Sequence, residues 1–176
     1  MDHFMEEVVV KKQKGFQNAV YYLSGVLMVV MAIIGLFILS NLLMAFNLID
    51  LAIVLIFLGC AVLLYLKKDT LRTEYEYTFT NGELDFAKVF NNQKRKSLGT
   101  LRVKNVESFG PVEGEAFRKL INMPGLTRNN WFLNRDAALY YFYYCKDSKK
   151  TIIVLEPSKE LVGYIQKYLA HGVFHA

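Results

Sequence analysis

Ala19 to Ser40 runs for 22 residues without a charged side chain, and Leu48 to Leu66 repeats the pattern for 19 residues with Asp50 as its one acid. At the helical rise of ~1.5 Å these stretches reach roughly 33 Å and 28 Å, enough for each to cross a hydrocarbon core. The segment between them, "NLLMAFN", carries Asn41 and Asn47 and no charge, and is short enough only for a turn. The pattern predicts a helical hairpin. After residue 73 the period changes. Tyr75, Tyr77 and Phe79 alternate with Glu74, Glu76, Thr78 and Thr80, the signature of a half-buried strand. Asn81-Gly82 is a two-residue hairpin signal, and Leu84 to Phe90 reads as the returning strand.

Further along, "NNQKRKS" reads as a polar connection into a strand at Leu98 to Lys104, and Val106 to Phe109 as another that ends at Gly110-Pro111. Glu113 to Ile121 predicts a short helix stopped by Met123-Pro124-Gly125. "ALYYFYYC", Ala138 to Cys145, has too many aromatics for a strand with one wet face, so it is expected in a central or doubly covered position. Thr151 to Leu155 is a further apolar strand. Pro157 suits a first helical turn, and Leu161, Ile165 and Leu169 then form one stripe of an amphipathic helix.

Charge sharpens this division. Between Lys14 and Lys67 the only formal charge is Asp50, whereas residues 67–176 hold 18 Lys and Arg against 12 Asp and Glu, within a chain of net charge +5. Lys11, Lys12 and Lys14 precede the first span, and Lys67, Lys68 and Arg72 follow the second. The turn between the spans has no cation, so both ends are expected at the cytoplasmic face. A cleavable signal peptide fits poorly, because the apolar run is long, Glu6 and Glu7 precede it, and no small-residue cleavage site is evident. Gly25 with Ala32, and Ala52 with Gly59, give each helix a small-residue stripe expected to pack in the hairpin or against another membrane protein. Asp50 lies three residues past Asn47, where capping or a transport role are the two readings and capping is the simpler.

The strands followed by one amphipathic helix resemble the pleckstrin-homology-like (PH-like) fold, a bent sheet or open barrel plugged by that helix. More narrowly, two spans followed by "YEYTFTNGELDFAKV", "LRVKNVESFGPV" and "IIVLEPSKELVGYIQKYL" are similar to bacterial membrane proteins that carry such a domain. The resemblance implies an α+β chain: an N-terminal cytoplasmic segment at 1–18, a transmembrane hairpin at 19–66, a linker at 67–73, an antiparallel PH-like sheet or barrel at 74–170 and a tail at 171–176. Phosphoinositide-binding members carry basic residues around the first hairpin. Here that turn is Asn81-Gly82-Glu83, so the resemblance does not imply that route of lipid recognition.

Candidate sites are few. No nucleophile elbow, phosphate-binding glycine loop or metal-ligand spacing is present, so no catalytic residue, cofactor or metal is expected and the chain is not expected to be an enzyme. Cys60 and Cys145 are expected to stay reduced. His171 and His175 could share a metal on a helix, but Gly172 between them points to a frayed tail. Lys94, Arg95 and Lys96 would either touch anionic headgroups or form a solvated hairpin tip. Trp131 and Phe132, inside "RNNWFLNR", would sit at headgroup level or in the domain's own core. In residues 1–14, Phe4, Met5, Val8 and Val9 share one side of a helix, which predicts an in-plane amphipathic helix; docking onto the domain is equally economical.

The linker spans at most about 23 Å when extended, which holds the domain at the bilayer and makes recruitment to the membrane redundant. The expected role is therefore a membrane-anchored adaptor or accessory protein that binds a protein partner at the cytoplasmic face. Alternatives are a direct sensor of anionic lipid and a small transport or channel component. The bilayer itself and a protein are the expected partners. Nucleic acid is not.

Overall fold

Strand β1, Phe4–Val9, pairs antiparallel with β2, Thr73–Thr80, although residues 10–72 separate them in the chain. This pairing, seen in a computed structural model that describes residues 3–175, sets the architecture. The chain divides into two compact units. One contains residues 3–12, Glu74–Val89 and 94–175; the other contains Gln13–Thr73 and Phe90–Gln93. The sheet domain is thus discontinuous in sequence, and the helical hairpin is an insertion in its β1–β2 connection. In place of the amphipathic helix expected over residues 1–14, Phe4–Val9 forms a strand docked on the domain, the alternative expectation, and its six register pairs from Phe4↔Thr80 to Val9↔Tyr75 satisfy the backbone of β2 as well as its own; residues 1 and 2 lie outside the described residues.

In the sheet unit, β1, β2, β3 (Glu83–Phe90) and β4 (Lys94–Arg102) form one four-stranded sheet in that order. Asn81 at φ 48° and Gly82 at φ 90° make the β2–β3 turn, in the left-handed conformation such turns require. Gly82 is needed for a second reason: a Cβ there would stand 2.6 Å from the Tyr168 ring. A second sheet has the order β5 (Ser108–Pro111), β7 (Tyr140–Lys146), β8 (Lys149–Leu155) and β6 (Thr127–Trp131). The arrangement is α+β, with mainly antiparallel strands. β6 was not foreseen as a strand; the β7–β8 hairpin leaves the far side of β8 free, and β6 pairs there, parallel to β8.

Two layers of side chains hold the unit together. Tyr77, Phe79, Leu84 and Phe86 of the first sheet meet Phe109, Phe142, Ile153 and Leu155 of the second, with Leu161 and Ile165 of α4 (Lys159–Tyr168) closing the core. Each such side chain contributes about 1.5–3 kcal/mol when fully buried. The other face of the second sheet presents Tyr141, Tyr143, Ile152 and Val154 to Phe117 and Leu120 of α3, Glu115–Ile121. β7 is therefore covered on both faces, as its aromatic density requires. Pro157 does not enter the first turn of α4 but precedes its N-cap, Ser158, whose hydroxyl accepts from Leu161 N at 3.2 Å. The tail is not frayed. Phe109 N donates to Val173 O and His175 N to Phe109 O, both at 2.9 Å, so the tail runs along the outer edge of β5.

The hairpin unit consists of α1 (Lys14–Met44), α2 (Leu48–Lys67) and a 3-10 turn at Lys68–Leu71. α1 is longer than the uncharged run, because nothing in Lys14–Asn18 or Asn41–Met44 breaks a helix. Asn47 is the N-cap of α2, accepting from Ile49 N at 2.9 Å, and Asp50 lies in the first turn, where the helix dipole favours an acid. The close approach of the two helices is at Gly35, not at Gly25 or Gly59. A Cβ at Gly35 would lie 2.7 Å from Leu58, whereas no atom comes within 4 Å of the corresponding point at Gly25 or Gly59. Both helices are long and apolar enough to cross a membrane, and they turn most of that surface outward: Phe16 is 80% exposed, Leu43 82% and Met44 89%.

Candidate functional site

β4 ends the first sheet, and no strand lies beyond it among the described residues. Its conformation is set by β3 rather than by its own apolar pattern. Leu101 is buried in the core and Leu98 packs against it, with Gly99 between them at φ 138°, a conformation that favours glycine. On the outer face the Thr100 hydroxyl donates to Asp85 Oδ1, and Arg102 Nε lies 2.8 Å from Glu83 Oε1, tying β4 sideways to β3.

Beside this edge lies a cavity of about 420 Å³, with Thr100, Arg102 and Asn105 on one side and Tyr144, Cys145 and Lys146 at the end of β7 on the other. A second hollow of about 290 Å³ shares Glu83 and Arg102 with it and continues to Gly82, Lys104 and Tyr168. Lys104 and Lys146 are exposed and form no ion pair among the described residues. Glu107 Oε1 accepts from Cys145 N at 3.2 Å, which fixes the β7 end of the groove. Together these features make an open strand edge bordered by a cationic groove. Sequence inspection had no signal for it, because Lys104 and Lys146 are distant in the chain and each is an ordinary surface lysine.

The residues singled out from the sequence do not form one site. Lys94, Arg95 and Lys96 are the first three residues of β4, and the tip of the hairpin is Asn91–Gln93 instead. Strand alternation sends Arg95 to the opposite face from Lys94 and Lys96. Arg95 Nε lies 2.8 Å from Glu76 Oε2. Trp131 packs against Phe86 with ring centroids 4.6 Å apart, and its carbonyl accepts from the Tyr77 hydroxyl. Phe132 packs into the layer on the other face of the second sheet.

A second polar constellation locks β1 in place. Asn134, which is buried, accepts from Lys12 N at 2.9 Å through Oδ1, and its Nδ2 donates to Val10 O at 3.0 Å and Glu156 Oε1 at 2.8 Å. The Glu7 carboxylate accepts from Ser158 N at 2.9 Å and 3.0 Å. Burial raises the pKa of Glu7 above the usual carboxylate value, the Ser158 bonds oppose that, and the nearby charge of Glu156 adds to it. Burial likewise pushes the Tyr77 phenol up. These groups pair with one another and with backbone, so their chemistry is that of a latch. Among the described residues no group of His, Cys, Asp and Glu is arranged to hold a metal.

No curated protein and no solved structure matches the chain. The model of one family does, over residues 1–175, so the discontinuous sheet unit and the hairpin inserted in it fall within a single match, and the chain belongs to the bacterial PH-like domain family (DUF6106).

Proposed function

We propose that this protein is a membrane-anchored, non-catalytic docking protein whose PH-like domain takes an extended, acidic segment of a protein partner along the open edge of β4 at the cytoplasmic face. The observation that carries the reading is the unpaired outer edge of β4 beside a groove flanked by Lys104 and Lys146. A free strand edge supplies backbone donors and acceptors for strand addition, and the flanking cations favour acidic side chains on the added strand. Anchoring is supported by the outward apolar surface of α1 and α2. The β1–β2 pairing supports a hairpin that enters and leaves the bilayer on the same side, and the lysines flanking it favour the cytoplasm as that side. Only residues 68–72 separate α2 from β2, so the domain is a tethered module with a high local concentration for neighbours in the membrane. Sensing of anionic lipid through Lys94–Lys96 and Trp131 has less support, because the three cations are divided between two faces and Trp131 packs against Phe86.

A photoreactive side chain at Ser97, exposed on β4, tests this in native membranes, with Lys119 on α3 as the control position. The expected result is a discrete protein adduct from position 97 alone, lost in the double variant Lys104→Glu, Lys146→Glu. Adducts of equal yield from position 119, or an adduct indifferent to charge reversal, contradict the reading.

A further inference from the structure

A cavity of about 410 Å³ opens on the surface of α1, lined by Tyr21, Tyr22, Gly25, Val26 and Val29, with Lys68 at one end. Its chemistry changes along its length. At the Lys68 end are an ammonium and two phenols, and the Arg72 guanidinium lies 3.8 Å from the Tyr21 ring centroid and 5.2 Å from that of Tyr22. Lys68 Nζ stands 5.9 Å from the Tyr21 ring and 5.7 Å from the Tyr65 ring. Arg72 also bonds to Asn91 Oδ1 at 3.4 Å, while the Asn91 amide donates to Asp69 at 3.1 Å and Tyr21 at 3.2 Å. The cationic end is therefore held in place. From Gly25 onward the lining is aliphatic.

Gly25 is the informative residue. A glycine inside a helix costs about 1 kcal/mol relative to alanine. Helix contact does not account for it, since Gly35 makes the close approach to α2 and the space where a Gly25 Cβ would stand is empty. What the missing side chain does is deepen the groove between Tyr22 and Val29.

We propose that this groove seats one anionic phospholipid of the cytoplasmic leaflet, with its phosphate at Lys68 and one acyl chain along Gly25, Val26 and Val29. The site rests on the reading that α1 and α2 span the bilayer, and it is separate from Lys94–Lys96. Cations and phenols at one end with a bare aliphatic channel at the other match the two halves of a phospholipid, and the tyrosines stand where aromatic side chains meet headgroups.

The test uses the full-length protein in mild detergent, incubated with phosphatidylglycerol or phosphatidylcholine and weighed by native mass spectrometry. One phosphatidylglycerol per chain is expected, retained about fivefold over phosphatidylcholine. Lys68→Gln removes the preference but leaves binding, whereas Gly25→Leu, whose side chain has room on the helix, lowers retention of both lipids. Equal retention of the two lipids by the unmodified chain, or undiminished retention by Gly25→Leu, overturns the site. Alkaline carbonate extraction of cell membranes separates the two levels of the argument. Release of the chain defeats the spanning reading and the site with it, while a chain that stays in the membrane but shows no lipid preference defeats the site alone.

Discussion

The hairpin and the sheet unit treat similar side chains in opposite ways. Phe79, Leu84, Phe109, Phe142 and Leu155 have no exposed surface in the sheet unit, whereas Phe16, Leu43 and Met44 in the hairpin are almost fully exposed. Water-soluble surfaces rarely carry contiguous apolar patches larger than a few hundred Å². The contrast therefore concerns solvent: one unit hides its apolar groups from water within itself, and the other turns them outward on two helices long and apolar enough to cross a membrane. The units differ in continuity as well. The hairpin is one stretch of chain, but the sheet unit is assembled from both sides of it, through β1. A domain closed around an inserted hairpin has to be completed after both helices are made.

The largest expected effect follows from that discontinuity. A fragment beginning at residue 74 lacks β1, which leaves Asn134 Oδ1 and the Ser158 amide without their partners and removes Val9 from the core. It is expected to aggregate or to unfold without cooperativity in a circular-dichroism melt. Joining residue 12 to residue 74 by a short Gly/Ser turn, which deletes the hairpin and keeps β1 with Lys12, is expected to restore a soluble, cooperatively folding domain. If the fragment without β1 folds as well as the joined chain, the sheet unit does not depend on β1 as described.

Smaller is the effect of Asn134→Ala in the joined chain. It strands Lys12 N, Val10 O and a Glu156 oxygen, at a cost of roughly 1–3 kcal/mol in urea unfolding. The smallest effect is in pH dependence. Glu7 has its folded pKa raised above 4.5, so the folded state holds this proton more tightly than the unfolded one. Its contribution to stability is full below about 4.5 and is lost as pH rises through the folded value. Stability curves of the joined chain and its Glu7→Gln variant should diverge over that window, the unsubstituted chain losing more as pH increases. Parallel curves would remove Glu7 from the latch.

The same contrast explains what the sequence could reveal. The hairpin was legible because a long apolar helix is a local property of contiguous residues, and β2 and β3 because Tyr75 to Phe79 and Asn81-Gly82 carry their signals within a few positions. β1 was not. Met5, Glu7 and Val9 face inward while Phe4 and Val8 are exposed, so an inward acid and two outward apolar residues hide the alternation; the reason for Glu7, the Ser158 amide, lies far along the chain. β4 and β6 are strands through their neighbours, with "KRKSLGTLR" and "TRNNW" offering little apolar pattern of their own. The groove beside β4 is flanked by Lys104, in the turn after β4, and Lys146, at the end of β7, a placement that local periodicity does not encode.

The central claim is that the inserted hairpin crosses the membrane and returns, leaving β1 and the rest of the domain together on the cytoplasmic side. The direct measurement is labelling with a membrane-impermeant maleimide in intact cells, using single cysteines at Phe46 in the turn between α1 and α2 and at Lys104 in the domain, with Cys60 and Cys145 replaced by serine. Position 46 is expected to react from outside, and position 104 only after permeabilisation. Labelling of position 104 in intact cells, or of position 46 only after permeabilisation, contradicts the account.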